Sequence, residues 1–135
     1  MPIKLGTVGH FGISVPDVKR STQWWVKKLN LKKHFEFPGG AVVGNDDMTI
    51  VLIKGKARPE VIDHVSFHLP SMAALRAAQA ELRRKKVKME DPGDEIGPEA
   101  PGSKNMGLWF FDPDGYRWEL SVLAKSPSRT RKKKK

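Results

Sequence analysis

The chain has 135 residues, 39% of them hydrophobic, a formal net charge of +10 and no cysteine. This length suits one compact domain or two very small ones. The lack of cysteine excludes disulfides and thiolate metal sites and fits a cytoplasmic protein. No apolar run reaches the ~18 residues of a membrane-spanning helix, and the first residues show no secretory signal, so we expect no membrane partner.

The positive charge is concentrated at the end of the chain. Residues 125–135 hold seven of the 25 basic residues and no acidic one, whereas residues 1–124 hold 18 basic against 15 acidic residues. A Lys/Arg run with Ser and Pro cannot bury enough apolar surface to fold, so we predict a disordered basic tail over 125–135. Weak tail contact with nucleic acid or anionic lipid is an alternative, but residues 1–124 show no nucleic-acid-binding motif.

An internal repeat organises the chain ahead of this tail. In residues 8–31 and again in 62–85, a His is followed six residues later by a Pro, and a helix-forming stretch comes next. His10 and His64 hold the same place in the two copies, 54 residues apart. We therefore predict two modules with the same fold.

The first module is predicted to open with a strand of period two, in which apolar residues alternate with a set that includes His10. A helix over 18–29 follows, with Asp17 as its N-cap and Asn30 at the left-handed position that ends it. Three strand-like segments come next, at about 33–37, 41–44 and 48–53.

The second module repeats this order. Its first strand carries His64 and His68 on one face, and a helix over 72–85 follows with Ser71 as its N-cap. Three strands are again predicted, at about 87–89, 106–111 and 116–123.

Two connections of the second module have distinct compositions. Residues 112–115 read Asp-Pro-Asp-Gly, which predicts a tight hairpin between the last two strands. Residues 90–105 are polar and rich in Gly and Pro, which predicts a loop at the rim of a site or a lid over it.

Each half is thus predicted to be βαβββ, and the fold class α+β. We predict one domain over 1–124, with module one at 5–54 and module two at 60–123. Each sheet has a helix on one face only, so the two sheets are expected to form a cupped, incompletely closed mixed β-barrel with the helices outside.

Three predicted strands carry a polar residue opposite their helix-facing apolar residues: His10, His64 and Glu119. A carboxylate between two large apolar neighbours needs a partner, because desolvating its charge is costly. Arg117, on the same face, is one candidate partner, and a divalent metal is the other. Two imidazoles and one carboxylate form a facial triad with open positions, and such donors suit Fe, Mn, Co, Ni or Zn.

The leading hypothesis is therefore a metalloenzyme whose small substrate binds the metal through two neighbouring oxygens. We expect His68, Trp109 and Arg117 to line the substrate pocket, with His68 as the candidate acid or base. Each also has a structural alternative: a packed strand residue for His68, core packing for Trp109, and an ion pair with Glu119 for Arg117.

The sequence resembles the vicinal oxygen chelate superfamily, also called the glyoxalase/bleomycin resistance protein/dioxygenase family, over about residues 8–123. The matching stretches are GHFGISVPDVKRSTQWWVKKLNL, DHVSFHLP and WFFDPDGYRWEL. The resemblance implies paired βαβββ modules with metal ligands on their first and last strands, which carries over to His10, His64 and Glu119. It also implies a homodimer, and the sequence leaves open whether His10 serves its own chain or the partner chain.

The resemblance leaves the reaction open. Glyoxalase I enzymes have a further carboxylate ligand near the end of the first module, where this chain has only apolar residues. The two-His, one-Glu set resembles extradiol dioxygenases and fosfomycin-resistance enzymes, so dioxygenase, lyase and resistance-type transferase or hydrolase chemistry all remain. Ser103 and Lys104 are candidates for contacting a phosphonate. The alternative is a non-catalytic binding protein, like the bleomycin-sequestering members.

Overall fold

A computed structural model describes residues 2–124, and both predicted βαβββ modules are present in it. The predicted tail over 125–135 lies outside the described residues. The first module consists of β1 (Phe11–Val15), α1 (Val18–Leu29), β2 (Lys32–Phe37), β3 (Gly40–Gly44) and β4 (Thr49–Lys54). After a 3-10 turn at Pro59–Val61, the second consists of β5 (Val65–His68), α2 (Met72–Arg84), β6 (Lys88–Met89), β7 (Gly97–Pro98), β8 (Met106–Phe111) and β9 (Arg117–Val122).

The two modules share one sheet topology, which confirms the α+β class. The first sheet has the order β1-β4-β3-β2, and the second has the order β5-β9-β8-β6, with β7 also paired to β8. In each sheet the opening strand runs parallel to the last strand of its module, and the other pairs are antiparallel. Both are open mixed sheets, and neither closes on itself into a barrel.

The structure differs from the prediction at the start of each module. His10 and His64 were expected within the opening strands, but β1 begins at Phe11 and β5 begins at Val65. The reason is the pairing, because the parallel ladders start at those positions. Both imidazoles therefore lie on the segments that lead into a strand. The predicted loop over 90–105 also contains the short strand β7.

Both helices begin where the sequence predicts. The Asp17 side chain accepts a hydrogen bond from the Arg20 N–H at 2.9 Å, and Asn30 ends α1 with a left-handed φ of 58°. Ser71 caps α2 in the same way as Asp17 caps α1. Within residues 2–124, neither helix has the length and apolar character to cross a membrane.

The Asp112–Gly115 turn joins β8 and β9, as predicted. The Asp112 carboxylate accepts hydrogen bonds from the Tyr116 N–H at 3.1 Å and from Trp118 Nε1 at 3.2 Å. Gly115 has a φ of 89°, a conformation that favours glycine. This turn sets the register of β8 against β9.

The described residues cluster into two compact units. The first runs to Val61 and includes Pro113–Gly115, and the second comprises Ile62–Asp112 and resumes at Tyr116. The single domain over 1–124 remains a prediction.

The core of the first unit includes Ile13, Val15, Trp25, Val43, Ile50 and Leu52. The core of the second includes Leu75, Leu82, Leu108, Phe110, Trp118 and Leu120.

A buried carboxylate fastens the 90–105 loop to α2. Glu95 is 4% exposed and accepts hydrogen bonds from Gln79 at 2.7 Å, from Arg83 at 2.5 Å and from the Gly93 N–H at 2.7 Å. Burial alone would raise the pKa of Glu95, but these hydrogen bonds together lower it below its ordinary value. The ionised form of Glu95 therefore stabilises the fold.

We expect Glu95→Gln to lower the free energy of unfolding by about 1–3 kcal/mol at pH 7, because it replaces a charged acceptor among three donors. The pKa of Glu95 is lowered in the fold. The stabilisation by ionised Glu95 is therefore complete above the pKa that Glu95 has in the unfolded chain. It is lost as the pH falls through the lower pKa that Glu95 has in the folded protein. Urea denaturation should show the difference between wild type and variant shrinking below about pH 4. The exposed loop variant Asp94→Asn should show no comparable loss, and equal losses would contradict this assignment.

Candidate functional site

The candidate site lies on the face of the second sheet that points away from α2. Glu119 is in the middle of β9, where its neighbours Trp118 and Leu120 are buried on the opposite face. In register, Ser66 of β5 lies opposite Glu119 on one side and Trp109 of β8 lies opposite it on the other. The carboxylate is therefore surrounded by side chains of three strands.

Glu119 is a buried carboxylate with an unsatisfied oxygen. Its side chain is 2% exposed, and Oε2 has no hydrogen-bond partner among residues 2–124. Gly107 makes room for it, because a methyl group at that position would overlap Oε2. A buried carboxylate oxygen without a partner is costly, and this cost favours the binding of a cation beside it.

The surroundings of Glu119 disfavour its negative charge. Burial raises the pKa of Glu119, and the nearby Glu99 carboxyl raises it further. The Ser66 hydroxyl and the His64 imidazole act in the opposite direction, but the net effect is a raised pKa. The Ser66 hydroxyl is itself shared with Ser121 Oγ at 2.8 Å. An added positive charge would therefore stabilise the ionised carboxylate.

His64 faces this carboxylate with one ring nitrogen and is held by a second carboxylate through the other. Its Nε2 lies 3.7 Å from Glu119 Oε1, and its Nδ1 lies 2.7 Å from Asp63 Oδ2. An ionised carboxylate only accepts hydrogen bonds, so Nδ1 carries the proton and donates it to Asp63. In the neutral imidazole, Nε2 then presents a lone pair towards Glu119. Two facing acceptors can be bridged by a proton or by a metal cation.

The separation of these two acceptors suits a shared metal ion. Ligand atoms bound ~2.1 Å from one cation at angles of ~90–120° lie about 3.0–3.6 Å apart. The 3.7 Å between His64 Nε2 and Glu119 Oε1 is close to this range. Asp63 also supplies the carboxylate to which a metal-bound histidine commonly donates its other N–H. The spacing of His64 and Glu119 is therefore compatible with two ligands of one divalent metal.

Arg117 contacts side chains other than Glu119. Its guanidinium donates to both carboxylate oxygens of Glu90, at 2.5 and 2.8 Å, and lies 3.7 Å from Asp63. It also stacks 5.1 Å from the centre of the Trp109 ring. The predicted alternative, an ion pair between Arg117 and Glu119, is not the arrangement found. Arg117 instead supports Asp63, which orients His64.

The other predicted site residues are His68, Trp109 and His10. His68 is exposed at the end of β5, opposite Ser121 in register. Trp109 is half-buried beside Glu119, and its Nε1 has no hydrogen-bond partner in the described part of the chain. His10 is exposed and belongs to the first unit. Within residues 2–124, no three His, Asp or Glu side chains are close enough together to hold a metal ion.

Sequence reasoning missed the carboxylates that surround the site. Asp63, Glu90 and Glu99 lie next to or outside predicted strands, so no alternation of apolar and polar residues marks them. Only the adjacency of Asp63 to His64 was visible, and adjacency does not predict that a side chain will contact its neighbour's ring.

Comparison with known proteins identifies related sequences and folds. The profile of the Glyoxalase/Bleomycin resistance protein/Dioxygenase superfamily matches residues 7–120. Glutathione transferase FosA of Serratia marcescens is 25% identical over 122 residues, which cover 87% of this chain and 82% of that protein.

Two solved structures share the fold. Fosfomycin resistance protein FosX of Listeria monocytogenes superposes with a TM-score of 0.71 at 16% identity, over 90% of this chain and 96% of that one. A glyoxalase/bleomycin resistance protein/dioxygenase from Nocardioides superposes with a TM-score of 0.72 at 15% identity, over 93% and 88%. At these identities the likeness concerns the fold alone.

We expect Glu119→Gln to stabilise the metal-free protein, because it removes a buried negative charge while keeping the side-chain shape. Urea denaturation with EDTA at pH 7 should give a free energy of unfolding about 1–2 kcal/mol higher than that of wild type. Glu81→Gln, which alters a partly exposed carboxylate on α2 that pairs with Arg84, should give no gain. A Glu119→Gln variant that is no more stable than wild type would show that Glu119 is already neutralised.

Proposed function

This chain belongs to the Glyoxalase/Bleomycin resistance protein/Dioxygenase superfamily, and on that premise we propose that it is a metal-dependent enzyme acting on a small molecule. One observation carries the proposal. The buried Glu119 carboxylate, whose Oε2 lacks a partner among residues 2–124, has its Oε1 3.7 Å from the ring Nε2 of His64, and a divalent cation is a group that both side chains can bind.

We propose His64 and Glu119 as two ligands of this metal, with His10 as the third that the sequence predicts. Nitrogen and oxygen donors suit Fe, Mn, Co, Ni or Zn, and three protein ligands leave coordination positions open. When bound, the metal supplies a Lewis acid for two neighbouring oxygens of a substrate. The half-buried ring of Trp109 and the exposed His68 are the proposed contacts of that substrate.

Small oxygen-rich molecules are the proposed substrates. Two relatives are named for glutathione transfer and for fosfomycin resistance, which makes phosphonates the first class to assay. Ser103 and Lys104 are the candidate phosphonate contacts, while catechols, 2-oxo acids and thiohemiacetals are the further classes. We also propose that the protein acts as a homodimer in the cytoplasm, in keeping with its two small modules and its lack of cysteine.

The purified protein is expected to hold close to one divalent metal per chain, and elemental analysis measures this directly. His64→Ala and Glu119→Ala should each remove most of the metal, because each deletes one of two facing donors. Metal added to the chelator-treated wild type should raise its melting temperature, and neither variant should respond.

His68→Ala is the matched control for this experiment. His68 lies at the exposed end of β5, in the strand that His64 immediately precedes, so its loss should leave the metal content unchanged. Metal retained in both His64→Ala and Glu119→Ala would contradict the proposed ligands. A wild-type protein that neither contains nor binds a divalent metal would leave the non-catalytic binding protein as the surviving alternative.

Asp63→Asn should weaken metal binding by about tenfold, because the partners that orient metal-bound histidines typically contribute 10–100-fold. The variant keeps the size of the side chain but loses the charge that holds the His64 N–H. Competition with a chromophoric chelator measures the affinity. Asp91→Asn, an exposed neutralisation in the same module, should bind as tightly as wild type. Equal affinities for wild type and Asp63→Asn would rule out this orienting role.

A further inference from the structure

The first module contains a groove that is separate from the candidate metal site. It has a volume of about 760 Å³ and is lined by residues of α1, β2 and β3, the turn between those strands and the end of β4. All of its lining residues belong to the first unit, whereas His64 and Glu119 belong to the second. A ligand bound in this groove would therefore be a function beyond the proposed metalloenzyme.

The groove concentrates positive charge. Its ionisable lining residues are Lys19, Lys27, Lys33, Lys54 and Glu36, a net charge of +3 from four cations and one anion. This equals the whole net charge of residues 1–124, which hold 18 basic and 15 acidic residues. Lys33 pairs with Glu36, but no carboxylate of residues 2–124 lies within ion-pair distance of Lys19 or Lys54.

Glu36 reveals the sign of the electrostatic potential in the groove. A hydrogen bond from Lys33, together with the charge of Lys33, lowers the pKa of Glu36. The charge of Lys19, on the opposite wall, lowers the pKa of Glu36 further. The two walls therefore act together to stabilise negative charge between them.

The lysines form two groups at opposite ends of the groove. A two-residue connection turns the chain from α1 into β2, so the backbones of Lys27 and Lys33 lie towards one end, from which the Lys33 side chain reaches Glu36. Lys54 is paired with Val15, just before the helix, so it lies with Lys19 at the other end. Lys19 and Lys27 are eight helical residues apart, which is about 12 Å at ~1.5 Å per residue.

The surface between these ends carries apolar side chains as well as the polar Thr22 and Gln23. Val18 and Val26 line the helix side, and Ala41 lines the sheet side. Gly39 and Gly40 also line the groove and add no side chains to fill it. We propose that this groove binds an elongated organic dianion, with one anionic group at each pair of lysines and an apolar chain of about 12 Å between them.

Decanedioate is a suitable probe, because its eight methylene groups separate two carboxylates by a comparable distance. Titration of the full-length, isotope-labelled protein followed by NMR should show saturable shifts along α1 and at residues 39–41. Decanoate has one charge and butanedioate is short, so each should bind at least about threefold more weakly. Lys19→Gln should weaken decanedioate binding by about threefold, and Lys19→Gln with Lys54→Gln by about tenfold.

Lys56→Gln is the matched control, because it removes one charge from the same unit outside the groove. It should leave the affinity for decanedioate unchanged, and well-dispersed amide signals establish that each variant is folded. Three results would overturn the proposal. They are equal binding of decanoate and decanedioate, an equal loss in Lys56→Gln and Lys19→Gln, and shifts confined to the second module.

Discussion

The buried carboxylate of Glu119 is the constraint around which the second module is arranged. An ionised oxygen without a partner destabilises a fold, so the chain has to leave space for it and limit its cost. Gly107 provides the space, and the Ser66 hydroxyl lies close enough to ease the charge. His64 then approaches with its ring Nε2, which lies 3.7 Å from Glu119 Oε1, while Asp63 contacts its Nδ1.

The same arrangement explains why the nearest cation in sequence does not satisfy Glu119. Arg117 lies two residues away on the same strand face, and simple alternation predicts that it pairs with Glu119. A bidentate contact with Glu90 and stacking on Trp109 hold the guanidinium elsewhere. A planar guanidinium that is already bound on two sides has little freedom to turn towards a third partner. The second module thus holds the Arg117 guanidinium away from the buried carboxylate of Glu119.

Local signals were sufficient to predict most of the fold. Asp17 and Ser71 cap the helices, Asn30 ends the first one, and the Asp-Pro-Asp-Gly turn forms the final hairpin, because each of these depends on a few neighbouring residues. The 54-residue repeat predicted the common topology of the two sheets. Strand starts were less predictable, since they depend on where the partner strand begins.

The candidate site was predictable only in part. Alternation placed Glu119 opposite the core face, and the repeat singled out His64. The Glu90–Arg117 contact joins residues 27 positions apart, and the groove lysines come from one helix and two strands. Such contacts depend on tertiary packing, for which a single sequence has no periodic signal.

The parallel pairing of β5 with β9 has a consequence for the order in which the protein is made. Val65 pairs with Trp118, 53 positions further along the chain, and the carboxylate on β9 is among the last parts of the module to be synthesised. Until that strand inserts, β5 has no neighbour in its sheet, and the His64 imidazole has no Glu119 carboxylate facing its Nε2. Unfinished chains therefore lack this pair of donors, and a nascent polypeptide acquires them only as its sheet is completed.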